Sequence, residues 1–212
     1  MAKKLISNLV KQNGRNYNKI FEIGSGTGFL TDEAVNNLNF KEIILNDITD
    51  NYTNYKPNKF IKEDILKAEI PNDLDLIISN AVFQWIIDYD LLFKKLFNAL
   101  YKNGILCFST FGAKNFSQIK NTVGIGLNYP DLKPYFKKAG FELLFFEEEL
   151  QTLYFKNIKD VLSHIKFTGV KTENRVWTKT DFKNFEEKYL KNYKDDMGLE
   201  LTYHPCYYIL KK

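Results

Sequence analysis

The sequence contains few of the residue types that most often carry metal, disulfide or acid–base chemistry. Two cysteines, two histidines and two arginines occur among its 212 residues. Cys107 and Cys206 each lie within an apolar, strand-like segment, and neither has another ligand nearby at the spacing of a zinc site. We therefore predict that both are reduced packing residues. The sequence predicts no disulfide and no metal.

Long hydrophobic runs are missing as well. No apolar stretch approaches the roughly 18 residues that cross a bilayer, and the start, MAKKLISNLVKQ, is too polar for a secretory signal. Hydrophobic residues make up 44% of the chain and aromatic residues 16%, which excludes a disordered protein. We expect one soluble, cytoplasmic domain over residues 1–212, with no membrane contact.

The positive charge of the chain is spread along it. The net charge is +4, and nearly all of the cations are lysines. Because these lysines form no long basic run, we expect no nucleic-acid partner. Two interpretations stay open: a lysine-rich composition without functional meaning, or a weak preference for an acidic partner.

The apolar pattern predicts an α/β fold. In the first half, short apolar runs alternate with amphipathic helical segments, which is typical of parallel βαβ units. In the second half, a helix that ends at Gly140 leads into a long strand, two further helices and a closing strand. We predict a doubly wound sheet with a helical insertion before its last strand. The predicted strands are 19–24, 42–47, 58–64, 74–80, 104–111, 141–155 and 199–212, and the predicted helices are 27–38, 88–104, 129–140, 157–168 and 179–192.

The segment FEIGSGTGFLT joins the first predicted strand to the first predicted helix. Its glycines, Gly24, Gly26 and Gly28, allow a ligand to approach the main chain closely, and ligands of open α/β sheets bind at this turn. A dinucleotide fingerprint would need a glycine where Phe29 stands. The preceding acid, Glu22, favours a ligand with an ammonium group over a pyrophosphate.

Acids also end the next two predicted strands. Asp47 lies roughly 20 residues after the glycines, where an acid accepts hydrogen bonds from a ribose diol, and Asp64 can accept one from an adenine amine. With Glu22, these acids describe a nucleoside that carries an amino-acid tail. The predicted cofactor is therefore S-adenosyl-L-methionine, with S-adenosyl-L-homocysteine as its product. The predicted cofactor-binding residues are Glu22, Gly24, Ser25, Gly26, Asp47, Ile48, Asp64, Ile65, Asn80 and Ala81.

The stretch SNAVFQWIIDYD follows the fourth predicted strand, where a methyl acceptor would meet the cofactor. Methyltransferases that act on base amino groups carry an N-P-P-Y-like stretch at this place, which is absent. Gln84 offers an amide to an acceptor oxygen. Trp85 can form the wall of an apolar pocket, or it can be an ordinary core residue.

These motifs give the chain a specific resemblance. It resembles the class I S-adenosylmethionine-dependent methyltransferases and, more narrowly, the malonyl-[acyl-carrier protein] O-methyltransferases of biotin synthesis. FEIGSGTGFLT, SNAVFQW and GILCFSTFG are shared with many methyltransferases, including trans-aconitate methyltransferase. The discriminating segments are YPDLKPYFKKAGF, LYFKNIKDVLSHIKFTGV and GLELTYHPCYYIL.

The resemblance implies esterification of the free carboxylate of a malonyl thioester, carried by an acidic acyl-carrier protein or by CoA. That carboxylate is ionised near pH 7, so no general base is expected. The resemblance also implies a Rossmann-like, mostly parallel sheet with an antiparallel final strand, a monomer, and a substrate lid over 157–192. Gln84, Trp85 and His164 would position the acceptor.

Alternatives remain at this stage. One is a methyltransferase for another small carboxylic acid, and another is a non-catalytic S-adenosylmethionine-binding protein. Members of the family carry a further N-terminal helix over the cofactor, and MAKKLISNLV resembles the latter part of that helix, so we expect either a truncation or a lost lid. Lysines after the fifth strand could face an acidic carrier or simply solvent: Lys114, Lys120, Lys133, Lys137 and Lys138.

Overall fold

A computed structural model describes residues 1–50, 55–123, 129–167 and 178–212. The chain divides into two compact units, and each is made of more than one chain segment. The first unit contains Met1–Thr110, Asp131–Glu147 and Cys206–Lys212. The second contains Phe111–Pro130 and Glu148–Pro205.

The first unit is built on a seven-stranded sheet. Its strands, numbered in chain order, are β1 (Lys19–Ile23), β2 (Glu42–Asp47), β3 (Lys59–Lys62), β4 (Leu74–Asn80), β5 (Leu100–Phe111), β6 (Glu142–Glu148) and β10 (Pro205–Lys211). They lie in the order β3-β2-β1-β4-β5-β10-β6. The first five are parallel, whereas the end of β10 lies beside the start of β5, because the Asn103 and Lys212 main chains are hydrogen-bonded. The predicted mostly parallel sheet with an antiparallel final strand is confirmed.

Helices cover both faces of this sheet: α1 (Ala2–Asn13), α2 (Phe29–Asn37), α3 (Tyr89–Ala99) and α5 (Lys133–Ala139). Successive residues of a strand point to opposite faces, so Ile20 packs with Leu9 and Leu30 of α1 and α2. Its neighbour Phe21 packs with Phe93 of α3 in a separate cluster. Burial on both faces explains why the parallel strands are nearly continuous apolar runs.

The second unit has its own three-stranded antiparallel sheet, in the order β7-β9-β8. The strands are β7 (Gln151–Phe155), β8 (Lys194–Asp195) and β9 (Gly198–Tyr203), and the helices are α4 (Ser117–Val123), α6 (Ile158–Phe167) and α7 (Lys179–Tyr193). Ile158, Val161 and Ile165 recur at helical spacing along α6 and are buried. Thr168 of the predicted helix 157–168 lies outside the described residues.

Several predicted boundaries are wrong, including the start of the helix predicted over 129–140, which begins at Lys133. The segment 141–155 forms two strands, β6 and β7, which belong to different sheets, and 199–212 likewise divides into β9 and β10. Apolar residues continue through both breaks, so the pattern carries no signal for a change of sheet. The helix predicted to continue to Gly104 ends at Ala99, because Leu100 already has extended dihedral angles and begins β5.

Both cysteines are buried, as packing residues are. Among the described residues, none of the helices combines the length and the apolar character that crossing a membrane requires.

Candidate functional site

The predicted cofactor residues lie at or near the carboxyl ends of the parallel strands in the first unit's sheet. Strands β1, β2 and β4 are parallel and in register, with Ile23 beside Asn46 on one side and Ser79 on the other. Strand β1 is the point at which the strand order reverses, because β2 and β3 lie on one side of it and β4 and β5 on the other. The loops after these strands therefore flank the crevice in which doubly wound folds bind ligands.

The glycine loop after β1 has a tight side and an open side. Gly24, Gly26 and Gly28 all have left-handed φ angles of 69°, 52° and 92°. A Cβ at Gly24 would lie 2.2 Å from Cγ2 of Val82, so the loop touches the stretch after β4 there. At Gly26 and Gly28, a Cβ would meet no protein atom within 4 Å. The second half of the loop thus presents bare main chain to the crevice.

Asn46, which was not among the predicted site residues, connects the glycine loop after β1 to the end of β3 and the loop that follows it. Its carbonyl oxygen accepts hydrogen bonds from the main-chain N–H groups of Gly24 and Ser25, at 2.8 and 3.0 Å. Its side-chain amide donates to the carbonyl oxygens of Ile61 and Glu63, at 2.9 and 2.7 Å. A buried asparagine inside an apolar strand must satisfy its polar atoms. That isolated polar residue in EIILND is the signal from which its role could be inferred.

Asp47 links the end of β2 to the open side of the glycine loop. Its Oδ2 accepts the Gly26 N–H at 2.8 Å. Its Oδ1 accepts the N–H and the hydroxyl of Thr49, at 2.9 and 3.0 Å. The carboxylate is therefore oriented by the protein, and Oδ2 retains a second lone pair for a ligand hydroxyl.

Asp47→Ala should weaken binding of S-adenosylhomocysteine roughly tenfold to a hundredfold, the usual effect of losing a charged hydrogen-bond acceptor. The loss combines a missing acceptor with an unanchored Gly26. Calorimetric titration measures it. Asp50→Ala is the matched control, because Asp50 is a nearby exposed acid whose carboxylate pairs with Lys62. Equal affinities for both variants would contradict the role of Asp47.

Glu22 lies in β1, two residues before Gly24, and is fully buried. Its Oε2 accepts a hydrogen bond from the Thr31 hydroxyl at 2.7 Å. Its Oε1 has no partner among the described residues, and neither has the buried hydroxyl of Ser25. Burial raises the pKa of Glu22 from 4.5 to about 8, against the opposing effect of the Thr31 hydrogen bond. Two unpaired buried oxygens near bare main chain fit the polar amino-acid end of S-adenosylmethionine.

The residues predicted to contact the adenine are only partly available to a ligand. Asp64 uses Oδ1 to accept the Leu66 N–H at 2.9 Å. The side chain of Ile65 is buried in the core, so only its main chain can face a ligand. Ile48 is 71% exposed and offers an apolar surface.

The stretch after β4 is held by the end of β5. Asn80 Oδ1 accepts the Ser109 hydroxyl at 2.7 Å, and Ala81 has a left-handed φ of 57°. The Gln84 amide donates to the Ala81 carbonyl, and its Oε1 accepts the Thr110 hydroxyl at 3.2 Å. The Gln84 side chain is therefore fixed in orientation, with one N–H left to donate.

Trp85 follows Gln84 in a short 3₁₀ turn, Phe83–Trp85. Its side chain is 43% exposed, so it is not an ordinary core residue. Phe83 takes that place instead and stacks on Phe108 with ring centroids 4.2 Å apart. The exposed indole suits a pocket wall.

Both histidines lie in the second unit. His164 is half-buried, and its Nε2 lies 2.8 Å from the hydroxyl of Tyr203. His204 is buried, and its Nδ1 accepts the Lys114 N–H at 3.2 Å while Nε2 lies 3.2 Å from Glu148. His204 therefore has a structural environment.

Comparison with known proteins places this site in a family. A family model described as a methyltransferase domain matches residues 21–108. Malonyl-[acyl-carrier protein] O-methyltransferase from Calditerrivibrio nitroreducens is 37% identical over 216 residues, covering 100% of this chain and 87% of the relative. The chain belongs to this family. The resemblance inferred from the sequence motifs is confirmed.

Solved structures agree with the fold. A candidate methyltransferase from Bacillus halodurans superposes with a TM-score of 0.70 at 12% identity, covering 98% of both chains. Phosphoethanolamine N-methyltransferase 2 from Haemonchus contortus, solved in complex with S-adenosyl-L-methionine, gives a TM-score of 0.57 at 14% identity, covering 99% of this chain and 52% of the other. At these identities, the likeness concerns the class I methyltransferase fold.

Proposed function

We propose that this chain transfers the methyl group of S-adenosylmethionine to the free carboxylate of a malonyl thioester, an early step of biotin synthesis. Membership of the malonyl-[acyl-carrier protein] O-methyltransferase family supports the reaction and the substrate. The open glycine loop near the unpaired Glu22 oxygen is the structural observation that carries the cofactor assignment. Bound S-adenosylmethionine supplies an electrophilic methyl group.

The residues at the crevice need only bind and orient. A malonyl carboxylate is already ionised at neutral pH, so the protein does not have to remove a proton. The carboxylate loses its charge during the transfer, so a strong cation beside it would stabilise the substrate more than the transition state. We assign the contact to the neutral amide of Gln84, oriented by Thr110. Trp85 would exclude water from the reacting atoms.

The cofactor contacts follow from the site geometry. The main chain at Gly24, Ser25 and Gly26 would lie along the amino-acid tail, with Glu22 beneath its ammonium group. Asp47 would accept the ribose hydroxyls. The remaining predicted residues would border the adenine and the methyl group: Ile48, Asp64, Ile65, Asn80 and Ala81.

The segment 157–192 would act as the substrate lid, and the chain would work as one methyltransferase domain. The described parts of this segment include α6 and most of α7, while residues 168–177 lie outside the described residues. In the His164–Tyr203 pair, the ring N–H or the hydroxyl hydrogen that their mutual hydrogen bond does not use is left as a donor. Such a donor suits a carboxylate or a thioester carbonyl.

We assign the carrier-protein thioester as the main substrate and malonyl-CoA as a second acceptor. We further propose a monomer that acts in the cytoplasm and needs no metal.

The test is a transfer assay with isotope-labelled cofactor. Malonyl-carrier protein should gain a base-labile methyl ester, whereas acetyl-carrier protein, which has no free carboxylate, should gain none. Esterification of trans-aconitate or free malonate without any thioester product would favour a small-acid methyltransferase. Tight binding of S-adenosylhomocysteine with no turnover of any acid would show a non-catalytic binding protein.

A further inference from the structure

A groove of about 430 Å³ separates helices α3 and α5 in the first unit. Three of its lining residues are apolar or aromatic, Leu91, Tyr135 and Ala139, and three are charged, Asp90, Lys94 and Lys138. A groove that combines apolar and charged residues is typical of a surface that binds another protein.

Exposed apolar residues continue along the chain from the groove toward the acceptor stretch. Leu91 is 40% exposed, and Ile87, which precedes α3, is 92% exposed. Trp85, two residues earlier, is 43% exposed. The hydroxyl of Tyr89 donates to the Phe83 carbonyl at 3.0 Å, which fixes the start of α3 against the 3₁₀ turn. Several exposed apolar residues close together along the chain, beside a groove, are typical of an interaction surface.

Two of the three charged residues that line the groove are lysines, Lys94 and Lys138, and the third is Asp90. Lys94, Lys137 and Lys138 are exposed. Lys138 pairs with Asp90 at 2.9 Å, but both side chains are more than half exposed, at 71% and 51%. An exposed pair of this kind is weak, so a partner's carboxylate can replace Asp90.

The two neighbouring acids are engaged at helix ends. Asp88 accepts the Leu91 N–H at 2.9 Å at the start of α3. Asp131 accepts the Lys133 N–H at 3.0 Å at the start of α5. Both acids are therefore held at helix ends, outside the set of Asp90, Lys94 and Lys138 that lines the groove.

We infer that the α3–α5 groove docks the acidic carrier protein that presents the malonyl thioester. The partner's carboxylates would pair with Lys94 and Lys138, and an apolar side chain would cover Ile87 and Leu91. Ile87 is three residues from Gln84, so their Cα atoms are at most about 11 Å apart. A carrier bound here therefore lies close to the acceptor residues. The inference rests on the proposed function for the identity of the partner.

The test compares two double charge reversals. Lys94→Glu/Lys138→Glu alters the groove, and Lys41→Glu/Lys102→Glu is the matched control. Lys41 and Lys102 are exposed and lie at the N-terminal ends of β2 and β5. Each is assayed with malonyl-carrier protein and with malonyl-N-acetylcysteamine, a thioester without a carrier. We expect KM for the carrier substrate to rise at least tenfold in the groove variant, with kcat within twofold of wild type. The small thioester should react equally with all three proteins.

Other results would overturn the docking surface. An unchanged KM of the groove variant for the carrier substrate would do so. An equal loss of kcat/KM with the carrier substrate and with the small thioester would do so as well. Direct binding of fluorescent malonyl-carrier protein separates this inference from the proposed function. Carrier binding that depends on Lys94 and Lys138 without methyl transfer would keep the surface and remove the reaction, and no carrier binding by wild type would remove the surface.

Discussion

Gly24→Ala is expected to abolish cofactor binding and to destabilise the protein. The new methyl carbon would lie 2.2 Å from Cγ2 of Val82, and Gly24 has a φ of 69° that disfavours any side chain. Val82 is β-branched and cannot easily turn away, so the glycine loop and the acceptor stretch must separate. The expected loss of stability is roughly 2 to 5 kcal/mol, the sum of overpacking and a left-handed backbone.

Two further variants make this prediction specific. Gly26→Ala has a similar φ, 52°, but its Cβ would meet no protein atom within 4 Å. It should therefore lose only the stability due to backbone strain, about 1 to 2 kcal/mol. Adding Val82→Ala to Gly24→Ala should restore part of the stability, because it removes the clashing methyl groups. Thermal unfolding and titration with S-adenosylhomocysteine measure both effects, and wild-type binding by Gly24→Ala would refute the close approach.

The sequence was most informative where the chain is buried on both sides. The strands β1, β2 and β4 are nearly continuous apolar runs, because parallel strands covered by helices have no solvent face. Their bounds agree with the prediction to within a residue or two. The glycine turn and the acids at strand ends also follow from local spacing, since each is set by where a strand stops.

What depends on distant contacts was not predictable. The apolar run 141–155 gives no sign that its halves pair in different sheets, which is decided by partners far along the chain. Tyr203 contacts His164 from 39 positions away. The same holds for the site: the acid at 22 was predicted, but its complete burial depends on how the glycine loop folds over it.

Glu22→Gln is expected to stabilise the protein at alkaline pH and to weaken cofactor binding. The pKa of the buried Glu22 carboxyl is about 8, against an ordinary value of 4.5. Between pH 4.5 and 8, the unfolded chain therefore loses a proton that the folded chain keeps. The stability of the folded state falls as the pH rises through this window, by up to about 1.4 kcal/mol per pH unit, and is level above it.

Glutamine can keep the acceptor for Thr31 but has no proton to lose. The slope of stability against pH in this window should therefore be smaller in the variant, which should unfold at a higher temperature than wild type at pH 8 and at a similar one near pH 4.5. Thr31→Val is the companion variant: the Thr31 hydrogen bond lowers the Glu22 pKa, so its loss should extend the decline in stability to higher pH. Identical pH slopes in wild type and Glu22→Gln would show that Glu22 is not the group that titrates.

The same carboxyl explains why a destabilising acid is useful at this position. An ammonium group bound above Glu22 favours the ionised form, so wild-type affinity for S-adenosylhomocysteine should rise between pH 6 and pH 8 as ionisation becomes easier. Glutamine carries no charge, so its affinity should be roughly tenfold lower at pH 8 and nearly constant with pH, as expected for the loss of a charged hydrogen bond. Stability and cofactor affinity thus change in opposite directions in one variant, which a purely structural role for Glu22 does not predict.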